Sequence, residues 1–243
     1  MADFHLRVGD ALFSVHTLYP DTLNLCKDYC VDETGGVEIT VTGEDIDRER
    51  EISIAEAKLE GLPVTNYQPG YLETTAVYRK MADWYFKHDS MVFHGALISL
   101  DGEGYLFTAK SGTGKTTHIR NWQKVFPECF VVNGDKPVLR VTDTEVRGYG
   151  TPWAGKERYQ TNTSVPLKAI VLLERGAENR IEEVSFKEAL PVLLSQAYRP
   201  KQADSLRNAV LLIGRIVGKV RFFRLKCNMD EESAAVAYRG MQD

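Results

Sequence analysis

The stretch from Tyr105 to Val125 constrains this chain more than any other. Tyr105-Leu106-Phe107-Thr108 is apolar and β-prone, Ala109-Lys110-Ser111-Gly112-Thr113-Gly114-Lys115-Thr116 is a glycine loop, and Ile119, Trp122 and Val125 then recur at three- and four-residue spacing. A strand, a tight loop and a helix are therefore expected in direct succession. Upstream, Met91 to Ser99 is a mostly apolar run and Asp101-Gly102 is a tight-turn signal, so a hairpin should feed the loop.

A loop of this kind binds phosphate for a physical reason. Glycines let successive backbone N–H groups point at an anion, and the helix beyond adds the positive end of its dipole. Lys115 supplies a mobile charge for β- and γ-phosphates, and the Thr116 hydroxyl is the expected ligand to a Mg²⁺ ion. The usual first glycine is Ala109 here, at the position where the chain merely turns out of the strand. Residues Ala109, Lys110, Ser111, Gly112, Thr113, Gly114, Lys115, Thr116 and Thr117 are thus the expected nucleotide contacts, with ATP and Mg²⁺ as the cofactors.

Composition narrows the alternatives. With 243 residues, 43% hydrophobic and 26% charged, the chain can bury a sizeable core, and a formal net charge of −4 gives no general field for attracting nucleic acid. No apolar stretch approaches the roughly 20 residues needed to cross a bilayer. The N-terminus lacks the basic-then-apolar layout of a signal peptide, and Cys26, Cys30, Cys129 and Cys227 form no paired metal or disulfide spacing. A cytoplasmic protein with free thiols, bound to neither membrane nor nucleic acid, is the expectation.

Phosphoryl transfer also needs a carboxylate to hold metal or take the acceptor's proton. Asp135, in Phe130-Val131-Val132-Asn133-Gly134-Asp135-Lys136-Pro137, stands at the end of an apolar run about twenty residues past the loop. Asn133-Gly134 is equally a hairpin signal, which would make Asp135 a solvated turn residue. In Gly150-Thr151-Pro152-Trp153-Ala154-Gly155-Lys156, Lys156 is a candidate phosphate clamp and Trp153 a candidate stacking surface, although a rigid turn with a surface lysine reads the same way. Arg158, Lys168, Arg175 and Arg199 could add charge at a transferring phosphoryl or be ordinary surface residues. His94 fits a hydrogen-bonded strand residue better than a functional one, and His118 could face phosphate or solvent.

The combination of Phe93-His94-Gly95, Asp101-Gly102-Glu103-Gly104, Ser111 to Thr116 and Asn133-Gly134-Asp135 resembles the HPr kinase/phosphorylase-like family, P-loop kinases related to phosphoenolpyruvate carboxykinase. The likeness spans roughly residues 90 to 225 and is most specific in its first half; Thr151 to Lys156 and Val165 to Ile170 look like a bacterial branch of that family. It implies an HPr-kinase-like α/β core with a mixed, largely antiparallel sheet. It also implies transfer of the γ-phosphoryl of ATP to a serine-type hydroxyl, with an aspartate pair as base and metal partner. Here that pair is Gly134-Asp135, one carboxylate short.

The expected organisation is a small N-terminal α+β lobe over 1–68, its apolar-alternating pieces and the charged run Asp45 to Glu51 that follows them read as strands with turns, and an HPr-kinase-like nucleotide-binding core over 69–243. Strands are expected over 129–133, 138–141, 165–173 and 221–225, and helices over 73–86, 186–197, 203–217 and 231–241. The functional expectation is an Mg-ATP-dependent kinase with Lys115, Asp135 and Lys156 as catalytic residues and Thr116 and Asp135 at the metal. Its acceptor would be a hydroxyl on a peptide, protein or small molecule. The rival readings are an ATP-binding switch and a peptide-modification accessory module, both without phosphoryl transfer; the oligomeric state is open, and a homo-oligomer is allowed.

Overall fold

The computed structural model describes residues 1–110, 112–200 and 204–242. The chain divides into two compact units, Met1–Trp84 and Tyr85–Asp243. In the first, β1 (Ala2–Val8) and β2 (Ala11–Thr17) form an antiparallel hairpin whose Val8 pairs with Ala11. Its two turn residues, Gly9 and Asp10, both have positive φ, as a two-residue turn matching strand twist requires. After α1 (Asp21–Cys26) and a short 3₁₀ turn over Lys27–Tyr29, β3 (Val37–Thr40) joins β2 in parallel. Helices α2 (Gly43–Glu60) and α3 (Pro69–Phe86) follow.

Two expectations are corrected here. The charged run is not a turn region but part of α2, started by a capping box in which Thr42 and Asp45 satisfy each other's backbone N–H. Its inward stripe is Ile46, then buried Glu49, so the apolar repeat that would have announced a helix is missing. The boundary also lies at Trp84/Tyr85 rather than at 68/69, and α3 is tied into the first unit. Glu73 in α3 accepts hydrogen bonds from the N–H groups of Leu18 and Tyr19 at 2.5 and 3.0 Å, and Arg79 grips Glu49 of α2 with Nε and Nη2 at 2.5 and 3.0 Å.

The second unit is built on a mixed sheet. Its strands are β4 (Ser90–Val92), β5 (Ala96–Leu100), β6 (Glu103–Thr108), β7 (Phe130–Asn133), β8 (Val138–Val141), β9 (Val146–Tyr149), β10 (Ser164–Arg175), β11 (Arg180–Glu183) and β12 (Arg221–Cys227), and its helices are α4 (Lys115–Val125), α5 (Phe186–Gln196), α6 (Ser205–Gly214) and α7 (Glu232–Gln242). The order runs β4-β8-β9-β10-β6-β5-β7, with β12 on β10 and β11 on β12. Strands β6, β10 and β12 are mutually parallel, and β7 runs with β6 because both are antiparallel to β5. The carboxyl ends of all four strands therefore lie along one edge.

Alternation along the strands fills a core on each face. Leu106, Ile170, Leu172 and Phe222 pack with Leu193 and Ile213 from α5 and α6, while Tyr105, Phe107, Val171 and Phe223 pack with Ile119 and Trp122 of α4 and Ala237 of α7. The hairpin turn Asp101-Gly102 has positive φ at both residues, as its sequence predicts. The run from Met91 to Ser99 is not one strand. It breaks at His94-Gly95, so that β4 pairs with β8 while β5 pairs with β6 and β7, and a Cβ at Gly95 would meet Phe107 O and Leu106 Cδ1 at 3.0 Å each. Asn133-Gly134 makes no hairpin either, since β7 and β8 pair with other strands. The expected helix over 203–217 is observed from Ser205 to Gly214, and Ala203 lies outside the described residues.

Glu49 is 4% exposed and its partner Arg79 is held in a fork. Removing one partner of a buried pair costs about 3 kcal/mol or more because the other charge is left uncompensated. Arg79→Met is expected to destabilise the chain by that order in urea titration, and Glu49→Gln with Arg79→Met by clearly less.

Candidate functional site

The loop between β6 and α4 opens by glycine geometry. Gly112 and Gly114 have φ of 76° and 122°, and no atom lies within 4 Å of a Cβ built on either, so both face open space. Thr113 closes a turn by donating its N–H and its hydroxyl to Lys110 O at 3.2 and 2.8 Å. Ser111 lies outside the described residues. Helix α4 begins at Lys115 without a side-chain cap, and the bond from His118 N–H to Gly114 O, 3.0 Å, is an opening turn of the helix. The N–H groups of Lys115, Thr116 and Thr117 precede the first intrahelical donor and are the free positive end of the helix.

Lys115 is half-buried and donates to Ala109 O at 3.0 Å. Burial pushes its ammonium below the usual lysine range, and the negative charge of Asp135 opposes that shift. Lys115 follows β6 and Asp135 follows β7, two strands that end on the same edge of the sheet with β5 between them.

Asp135 is held by a buried amide rather than by a turn open to water. Asn133 is fully buried; its Oδ1 accepts from the N–H groups of Asp135 and Lys136 at 2.9 and 2.6 Å, and its Nδ2 donates to Thr151 O and Oγ1 at 3.0 and 3.1 Å. The Asp135 side chain is 23% exposed, with His94 Nε2 at 3.3 Å from Oδ1 and Lys136 Nζ at 3.4 Å from Oδ2. Burial raises this carboxyl, but the His94 hydrogen bond and the charges of Lys136 and His94 lower it further, and it ends below the usual carboxylate range. The reading of Asp135 as a solvated hairpin residue is therefore set aside.

His94 is the residue that sequence reasoning undervalued. Its backbone is fixed by His94 N–H to Gln196 O at 2.8 Å and by the Thr108 hydroxyl to His94 O at 2.9 Å, which places the ring beside Asp135. The signal was present in the Gly95 that breaks the strand, because a strand break facing the end of β6 is where a side chain can turn towards the loop.

The remaining candidates are dispersed. Gly155 packs on Asp135, a Cβ there meeting Asp135 Cβ at 3.2 Å, and the next residue, Lys156, is exposed; Trp153 is half-buried in the same loop. Lys168 is spent on Gln242 Oε1 at 2.8 Å, seven residues short of the carboxyl end of β10, and Arg158 and Arg199 are exposed. Arg175 faces the glycine loop, but through carbonyl oxygens: Nη2 donates to Gly112 O at 2.5 Å and Nε to Thr113 O at 3.3 Å. Among the described residues no three His, Cys, Asp or Glu side chains converge as a metal cage, and no helix is long and apolar enough to cross a membrane.

His118 faces neither phosphate nor solvent. It is 2% exposed, its Nε2 accepts from Trp122 Nε1 at 2.9 Å and its Nδ1 lies 3.3 Å from Ser233 Oγ. The first contact assigns the proton to Nδ1, and the ring, with Asn121, ties α4 to α7.

Two titrations check this electrostatic arrangement. His94→Gln should raise the Asp135 carboxyl pKa towards 3.8, read by NMR of the carboxyl carbon. Burial lowers His118 from 6.5 to about 3. The unfolded chain thus takes up a proton that the folded chain refuses, and stability should fall as pH drops from 6.5 with a slope of about one proton. His118→Asn should flatten that slope in denaturant titrations above about pH 5.5, where carboxylates of ordinary pKa are almost fully ionised in both states.

No family model and no curated protein matches this chain. Among solved structures the chain is similar to the HPr(Ser) kinase/phosphatase from Coxiella burnetii, at 12% identity and a TM-score of 0.35, over 63% of this chain and 99% of that one.

Proposed function

We propose that this chain is a Mg-ATP-dependent phosphotransferase that moves the γ-phosphoryl group to a hydroxyl, of serine type, on a peptide, protein or small molecule. The observation that carries the reading is the open glycine loop before the uncapped start of α4, with Lys115 at its end and the oriented carboxylate of Asp135 after β7 on the same carboxyl edge of the sheet. A lysine at a helix N-terminus and a carboxylate on the same sheet edge suit a ligand that brings both negative charge and a cation.

The residues fit such a ligand. Gly112 and Gly114 leave space for oxygens at the backbone, and the uncapped first turn of α4 offers N–H donors. Thr116 and Asp135 provide a hydroxyl and a carboxylate, a donor set that suits magnesium because that ion keeps waters and phosphate oxygens as its other ligands. Magnesium bound with the triphosphate would spread the charge that develops on the transferred group.

The chain's own residues then divide the work. Lys115 leaves Ala109 O to neutralise the β- and γ-phosphates. His94 fixes Asp135 Oδ1, and Asp135 receives the acceptor hydroxyl's proton; a weak base suffices where the transition state is loose and little nucleophile activation is needed. Lys156, exposed beside Gly155, closes over the phosphates as a clamp.

A second reading, an ATP-binding switch without transfer, draws on Gly134. A Cβ there would meet Ala154 O at 3.2 Å and Tyr159 Cβ and O at 3.4 Å each, so the second carboxylate of the resembling family has no room without movement of that loop. Incubation with Mg²⁺ and γ-labelled ATP, against protein and small-molecule fractions of a lysate, separates the two. The kinase reading expects label in one fraction, reduced at least about a hundredfold by Lys115→Ala and by Asp135→Asn. Nucleotide binding with no label in either fraction would replace it with the switch.

A further inference from the structure

Arg175 is the last residue of β10 and lies three positions beyond Leu172, the partner of Thr108 at the end of β6. At about 3.3 Å per residue this carries it roughly 10 Å past the end of β6, alongside the glycine loop. Its guanidinium donates to two consecutive loop carbonyls, Gly112 O at 2.5 Å and Thr113 O at 3.3 Å. A trans peptide holds its C=O and the following N–H on opposite sides. Fixing these two carbonyls towards Arg175 therefore turns the N–H groups of Thr113 and Gly114 the other way. The first closes the turn onto Lys110 O, and the second joins the uncapped donors of α4.

Carbonyl oxygens are the groups that spoil an anion site, and this loop could easily present them. Gly112 and Gly114 stand at positive φ, a region glycine enters about as readily as negative φ, so the backbone on either side of Thr113 is less restricted than at other residues. A fork of N–H donors opposes a peptide flip there from behind, at two points at once, in a way a single ammonium does not.

We infer that Arg175 is a positioning residue which locks the glycine loop with the Gly112 and Thr113 carbonyls turned outward, so that the Gly114 N–H joins the free donors of α4 in facing phosphate; this rests on the phosphotransferase reading above. It touches the loop rather than the transferred group.

The test is calorimetric titration of the full chain with MgATP and with magnesium tripolyphosphate, alongside thermal unfolding. Arg175→Met is expected to weaken both ligands about tenfold with an unchanged unfolding midpoint, Arg175→Lys to recover only part, and added guanidinium to restore Arg175→Met in part. Affinity in Arg175→Met equal to wild type overturns the inference. So does a loss that tracks a lowered midpoint and that neither lysine nor guanidinium relieves. Wild-type protein that binds neither ligand removes the phosphotransferase reading itself, and the inference with it, whereas Lys115→Ala losing affinity while Arg175→Met keeps it removes the inference alone.

Discussion

Strand β10 is the constraint on which the second unit depends. Its first residues pair antiparallel with β9, and from Leu167 onward it pairs parallel with β6 on one side and, from Ala169, with β12 on the other. Ile170 and Leu172 feed one core while Val171 and Leu173 feed the other, so the strand is buried on both faces and its register cannot slip without exposing a whole apolar row. That register sets where β6 ends, and hence where the glycine loop begins. It also sets how far Arg175 projects past it.

The charged groups at this edge are arranged by neutral ones. Asn133 spends both ends of its amide on backbone and on Thr151, and Asp135 is aimed as a consequence. Thr108 does the same for His94 through a backbone carbonyl. Buried hydrogen-bonded residues of this kind give direction to a carboxylate that Coulomb attraction alone would leave mobile. A polar network also ties α4 to α7 through His118, Asn121 and Ser233, holding the helix whose N-terminus faces the loop.

Much of the second unit was legible because its signals are local. The hairpin at Asp101-Gly102, the strand entering the loop and the amphipathic α4 each follow from adjacent residues. The first unit was less legible where burial is polar: α2 turns Glu49 inward to meet Arg79 thirty residues later, and no apolar period records it. The hairpin signal at Asn133-Gly134 misled for a related reason. Its side chain bonds forward to Lys136 and across to Thr151, and a turn dipeptide does not reveal which strands its neighbours will pair with.

The sequence by itself determined the strand, glycine loop and helix from Tyr105 to Val125, since propensity, turn chemistry and spacing all act over a few residues there. It also determined that a lysine and hydroxyls stand at that helix's start. Only the tertiary structure decided that His94 lies against Asp135, that His118 is sealed against Ser233 of α7, and that Arg175 grips loop carbonyls. These outcomes depend on strand order and register and on helix packing, which arise from burying two faces of one sheet at once, and residues distant in the chain, such as Arg175 and Gly112 at 63 positions or His118 and Ser233 at 115, become neighbours only when that burial is complete.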